Sequence, residues 1–163
     1  VCEFTGETVK SLSMDERMVL TNMTAEVGAK TGIIAPDRTT LNYLSSRNLE
    51  KIDMDLASDE NANYSSIERF DANSLEPQVA APHSPANSKN LSNYKGIKID
   101  QAYIGACTGA KLEDLHMAAE ILKGKLCSKN TRLLVAPSST KITAAAAADG
   151  AGTAWVVAGY PSS

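Results

Sequence analysis

The sequence predicts an α/β protein with mostly parallel sheets, and three observations lead there. Between residues 99 and 158, short apolar runs alternate with helical patterns in the order β-α-β-α-β. Such alternation implies parallel strands joined by right-handed helical crossovers. A separate helical pattern near the start carries a capping signature and follows a short apolar strand candidate. The 163 residues are 43% hydrophobic and 21% charged, so a packed core is available to both regions.

In chain order, Val1–Thr5 is a short strand candidate. Ser13 stands three residues before Glu16, which is capping-box spacing. Met18, Val19, Asn22, Met23, Glu26 and Val27 then recur at helical intervals, and Gly28 and Gly32 end the pattern. "GIIAPD" reads as a buried edge entering a turn at Pro36–Asp37. "RTTLNYLSSR" reads as a short helix capped by Asp37 or Thr39. Residues 53–95 are rich in Asn, Ser, Asp and Pro and read as a linker with one strand candidate, Tyr64–Phe70. From there the pattern predicts strand 99–104, helix 112–123, strand 132–136, helix 139–149 and strand 154–158. Helix propensity alone explains the alanine run in "TAAAAADG".

The bulk chemistry excludes some functions. Net charge is −3 with no basic cluster, so neither nucleic acid nor an anionic membrane is an expected partner. No apolar run approaches the roughly 20 residues of a membrane span. Val1–Gly6 lacks the basic start and apolar stretch of a signal peptide. With no initiating Met, the chain is expected to lie within a longer reading frame. The cysteines Cys2, Cys107 and Cys127 are odd in number and widely spaced. That is no disulfide framework, and a reducing, cytoplasmic setting is expected.

In "IDQAYIGACTGAKLEDLHMAAEILKG", Cys107 falls in the turn between a strand end and a helix start. Backbone N–H groups at a helix start favour the thiolate. Gly105 and Gly109 would let the backbone approach a bound group. From spacing alone the thiol is a nucleophile, a metal ligand, or a small buried side chain filling a tight turn. His116, nine residues on, would have to serve as base to a nucleophile, and nothing in its spacing supports that. Neither Cys2 nor Cys127 has C-x-x-C spacing to Cys107.

The stretch "IGACTGAKLEDLHMAAEILKGK" resembles the signature of the aconitase superfamily. "EFTGETVKSLSMDERMVLTNMTAEVGAKTGIIAPD" is similar to the matching part of the isopropylmalate dehydratase and homoaconitase branch. "LEPQVAAPHSPANSKN" and "RLLVAPSSTKITAAAAADG" follow the same pattern in the same order. The resemblance implies three-layer aconitase-like domains: residues 1–60 end one, 61–96 connect, and 97–163 begin the next. It implies an iron–sulfur hydro-lyase that moves water on a 2-hydroxy polycarboxylic acid. Isopropylmalate is favoured over homocitrate, citrate or methylated malates. It further implies a 4Fe–4S cluster, a small polycarboxylate substrate and, in this branch, a separate small subunit as partner. Cys107 matches the first cluster cysteine, with Gly105 and Thr108 beside it. Asn22 and Glu26 match polar residues that face the cluster site and are the expected catalytic pair, Glu26 orienting water or hydroxyl near the open iron and Asn22 hydrogen-bonding the cluster edge.

Other matches carry less. Glu113–Asp114 are expected to cap their helix, His83 to be an exposed turn residue, and Cys127 to be incidental. Arg17 and Lys30 are expected on a solvated helix face. The family's C-x-x-C pair, its amino-terminal active-site residues and its substrate-binding arginines have no match in the 163 residues. The chain is therefore expected to be an internal fragment, inactive alone. A decayed paralogue acting as a binding module, or an RNA-binding offshoot, are the other classes, and the acidic balance argues against the last.

Overall fold

The computed structural model describes residues 1–47, 56–105 and 108–150. The chain forms two compact units, Val1–Lys95 and Gly96–Ser163.

In the first unit, strand β1 (Cys2–Glu3) leads into a short helix α1 (Glu7–Ser11) and then α2 (Met14–Met23). The capping box is present: Glu16 N–H donates to Ser13 Oγ, and the Ser13 N–H donates to the Glu16 carboxylate at 2.8 Å. After Met23 the chain tightens into a 3-10 turn, Thr24–Val27. It stops at Gly28, whose φ of 80° belongs to the left-handed region that glycine enters without strain. Strand β2 (Gly32–Ile33) pairs parallel with β1, Cys2 opposite Gly32 and Glu3 opposite Ile33. Gly32 is required by space. A Cβ there would stand 2.7 Å from Thr24 Cγ2 and 2.8 Å from Thr21 Cα. Helix α3 (Arg38–Ser45) starts at Asp37, whose carboxylate accepts from Thr39 and Thr40 N–H, so Asp37 is the cap.

The sequence reading is corrected at three places in this unit. Tyr64–Phe70 is not a strand. Its large side chains Tyr64, Ile67 and Phe70 recur every third residue and stay exposed, so no face alternates for a partner to cover. A hairpin forms further on instead, β3 (Gln78–Ala80) against β4 (Ser88–Asn90), antiparallel with Gln78 opposite Asn90. Arg17 is not on a solvated face; it is 3% exposed. Among the described residues of this unit, the buried side chains are Arg17 and Thr24, both polar. Arg17 Nη1 and Nη2 each donate to Asp37 at 2.7 Å, and Nε and Nη2 also donate to the Leu12 and Lys10 carbonyls. One guanidinium thus joins α2, the cap of α3 and the C-terminal end of α1.

The second unit carries the expected alternation. β5 (Gln101–Gly105), α4 (Leu112–Leu122), β6 (Arg132–Ala136) and α5 (Thr140–Ala148) follow in order. β5 and β6 are parallel and flush, from Gln101 opposite Arg132 to Gly105 opposite Ala136. The core lies between this sheet and the helices. Leu115 is fully buried with Ala110, Ala119 and Ala146, and Ile104, Leu112, Val135 and Ile142 pack around them. The apolar spacing 112, 115, 119 explains the buried face of α4. The expected strand 154–158 lies outside the described residues. Among the described residues no helix is long and apolar enough to cross a membrane.

Candidate functional site

The carboxyl ends of β5 and β6 meet at one sheet edge, each followed by a turn and a helix start. Open α/β sheets bind ligands at such an edge. The two turns are tied together, because Ser138 N–H donates to the Ala110 carbonyl at 3.0 Å. Ala110 holds φ at 55°, which costs a residue with a Cβ about 1 kcal/mol. Burial of its methyl, 4% exposed, and the bond from Ser138 keep it there. Asp114 accepts from the Lys111 N–H at 3.0 Å, so the acidic pair Glu113–Asp114 does include a capping residue for α4. At α5 the cap residue is Ser139 itself, whose hydroxyl accepts from the Ile142 N–H.

Cys107 lies outside the described residues, between Gly105 at the strand end and Thr108 at the helix approach. Thr108 is half-buried. The two glycines differ. At Gly109 a Cβ would meet nothing within 4 Å, so this side of the turn is open to a bound group. At Gly105 the missing side chain makes room for the chain's own Tyr103, whose ring atom Cε1 would stand 2.6 Å from a Cβ there. His116 does not serve the turn as a base: its Nε2 lies 2.7 Å from Asp149 Oδ2. Cys127 is far along the sheet. Its Sγ donates to the Thr131 carbonyl, and Thr131 Oγ1 donates to the Ile99 carbonyl, which precedes β5. Cys127 therefore sits at the amino-terminal edge of the strands, a strand length from the turn.

In the first unit, Asn22 is on the last turn of α2 and Glu26 in the 3-10 turn that follows, both exposed. The inward position between them belongs to Thr24, 3% exposed, whose hydroxyl donates to the Thr21 carbonyl at 2.6 Å. Met23 and Val27 beside them are also exposed, at 46% and 77%. Polar and apolar side chains thus share this surface. Lys30 is exposed, as is His83 in its turn.

The electrostatic perturbations lie elsewhere in the first unit. The Arg17 guanidinium, with the Thr39 and Thr40 amides, lowers the Asp37 carboxyl from 3.8 to about 2. Tyr64 and Ser58 hydroxyls, at 2.6 and 2.7 Å, hold Glu3 below the usual carboxylate range. A hollow of about 290 Å³ opens beside Glu3, Ser58 and Tyr64, and none of the expected site residues lines it. Among the described residues there is no group of three or more His, Cys, Asp or Glu able to hold a metal ion. The sequence signal that found the β5–α4 turn was its Cys-Thr-Gly stretch; Tyr103 and Ala110 gave none, because their roles arise from packing.

Comparison with known proteins bears on the family of the chain. The model of the aconitase family (aconitate hydratase) matches residues 1–95 and 87–160. A protein named 3-isopropylmalate dehydratase large subunit from Halothermothrix orenii is 46% identical over 140 residues, 86% of this chain and 33% of that protein. Its namesake from Campylobacter fetus is 44% identical over 159 residues, covering 96% of this chain and 38% of its own. The large subunit 1 of Pyrococcus furiosus is 44% identical over 144 residues, 87% and 34% of the two chains. The chain spans about a third of the length of these curated relatives.

Proposed function

This chain belongs to the aconitase family, and on that premise we propose that it serves an iron–sulfur hydro-lyase acting on a 2-hydroxy polycarboxylic acid. The names carried by its relatives favour the isomerisation of 3-isopropylmalate and 2-isopropylmalate, a step of leucine biosynthesis. The observation that carries the reading is the turn after β5. A cysteine follows the strand end at the carboxyl edge of a parallel sheet, with Gly109 open beside it and a helix start beyond.

In this reading Cys107 contributes one thiolate to a 4Fe–4S cluster. The positive end of the α4 dipole favours the thiolate over the thiol and offsets the negative charge gathered there. The fixed turn, tied to the β6–α5 turn through Ala110 and Ser138, holds the strand end still while a group binds. When bound, the cluster supplies a Lewis acid toward the substrate's hydroxyl and carboxylate. Glu26 is the carboxylate we assign to proton transfer, and Asn22 is a hydrogen-bonding group four residues before it. Both side chains lie on the exposed surface of the unit. We assign residues 1–60 and 97–163 to two successive aconitase-type domains joined by residues 61–96. The relatives' name, large subunit, supports a small subunit as partner. A cytoplasmic setting suits free thiols.

The test uses the intact gene product purified without oxygen. Cys107→Ser should lose the brown absorbance and most of the bound iron and sulfide. Retention of both would overturn the ligand assignment. Glu26→Gln should keep its iron and lose about 10²-fold or more in turnover. Unchanged turnover would make Glu26 a surface residue only.

A further inference from the structure

On the reading that Glu26 transfers the proton, we propose that Thr24 is the positioning residue for that carboxylate, its hydroxyl switching α2 into the 3-10 turn on which Glu26 stands. Thr24 is the first residue of that turn and 3% exposed, between an exposed Asn22 and an exposed Glu26. Its hydroxyl, carbonyl and methyl are all engaged. The hydroxyl donates to the Thr21 carbonyl, three residues back, at 2.6 Å. The carbonyl accepts from Ala29 N–H at 3.1 Å, which closes the turn behind Val27. The methyl Cγ2 lies against Gly32 of β2, where a Cβ would come within 2.7 Å of it. The same Cβ would stand 3.0 Å from the Thr21 oxygen, so β2 lies against that carbonyl too.

In a continued α-helix the Thr21 carbonyl would accept from the N–H of residue 25. In a 3-10 turn each N–H reaches only three residues back, and the carbonyl loses that partner. Left without a donor against β2, it would be costly. The Thr24 hydroxyl is the donor it has. A threonine that bonds back to its own helix also bends or interrupts the ladder. Thr24 thus stabilises the 3-10 form over a longer helix. The rotation matters for the site. An α-helix turns about 100° per residue and a 3-10 helix about 120°. Between Asn22 and Glu26 the switch therefore opens the angle by roughly 40–60°. Glu26 is carried off the face it would share with Asn22, and the threonine beneath β2 keeps it there.

Two readouts test this. In the 163-residue chain, nuclear Overhauser contacts report the helix type. A 3-10 turn brings Thr24 Hα near the Glu26 amide proton, and an α-helix brings Asn22 Hα near it. Thr24→Val keeps the shape and removes the hydroxyl, so it should lose the first contact and gain the second. Thr24→Ser keeps the hydroxyl and should retain the native pattern. A native pattern in Thr24→Val overturns the proposal. Should valine unfold the unit, Thr24→Ala decides by the same contacts. In the intact gene product purified without oxygen, Thr24→Val should keep its iron and its KM and lose turnover severalfold, with Thr24→Ser near the native rate. In a Glu26→Gln background the same substitution should lose nothing further, because Thr24 acts through that carboxylate. Unchanged turnover in Thr24→Val, or an equal loss in both backgrounds, overturns the positioning role. Full turnover in Glu26→Gln would instead refute the catalytic reading. The contacts involve no cluster and no turnover, so they still decide whether Thr24 sets the turn.

Discussion

Asp37→Asn removes one charge and almost nothing else. Asparagine caps helices as well as aspartate does, so the start of α3 keeps its hydrogen bonds to Thr39 and Thr40. What changes is the partner of Arg17, which is 3% exposed and held by two 2.7 Å bonds to that carboxylate. A buried guanidinium left without its counter-charge costs about 3–5 kcal/mol. Arg17→Met removes the charge and keeps an unbranched apolar side chain. Asp37, whose side chain is 37% exposed, can then turn to water, and the Lys10 and Leu12 carbonyls lose one bond each. That change should cost about 2–3 kcal/mol, less than Asp37→Asn. The pH dependence has a definite sign. The folded Asp37 titrates at about 2 instead of 3.8. Its contribution is therefore complete above pH 3.8 and disappears as pH falls toward 2, where the unfolded chain takes up the proton first. The linked stability is about 1–2 kcal/mol once screening of the part-exposed carboxylate is allowed for. Urea unfolding followed by far-UV circular dichroism gives both quantities, and amide exchange in α2 and α3 locates the loss. If Asp37→Asn costs less than Arg17→Met, the buried charge is not what the pair neutralises and the reasoning fails.

Two further substitutions test the packing of each unit. Gly32→Ala should destabilise the first unit by about 1–3 kcal/mol, since its Cβ would press on Thr24 and the Thr21 backbone; a midpoint unchanged in urea would mean β2 can move off α2 at no cost. Leu115→Ala should cost the second unit about 2–5 kcal/mol by opening a cavity at the one large side chain that is fully buried among the described residues, and native-like amide protection of α4 in that variant would contradict the core described above.

Legibility of the sequence follows the range of the forces. The Ser13–Glu16 box, the Asp37 cap and the boundaries of α4 and β6 are local matters, set by hydrogen bonds and apolar spacing within a few residues. Each was readable from the chain. The β3–β4 hairpin was not, because QVA and SKN show no apolar alternation and the prolines 82 and 85 between them suggest irregular chain. Arg17 was misplaced for a different reason. Its burial depends on Asp37, 20 residues away, and no periodicity announces an ion pair across a turn. Asn22 and Glu26 were expected on one face of a continuous helix. The tightening at Thr24 alters the rotation per residue and sends the inward position to a threonine. At the thiol turn the motif was legible but the partner of Gly105 was not, since a tyrosine lying back on its own strand is a matter of rotamer.

The sheet also decides which cysteines can act together. β5 runs five residues from Gln101 to Gly105, and at about 3.3 Å per residue its two edges are some 15 Å apart. Cys127 is anchored at the amino-terminal edge through Thr131 and Ile99, while Cys107 follows the carboxyl-terminal one. Ligand bonds to a metal are each only about 2–2.5 Å long. A group bound at the carboxyl edge of the sheet is therefore out of reach of the Cys127 sulfur. The parallel register thus sets Cys127 apart from the edge where family chemistry is expected. The same register explains why Cys127 is free to hydrogen-bond a carbonyl instead.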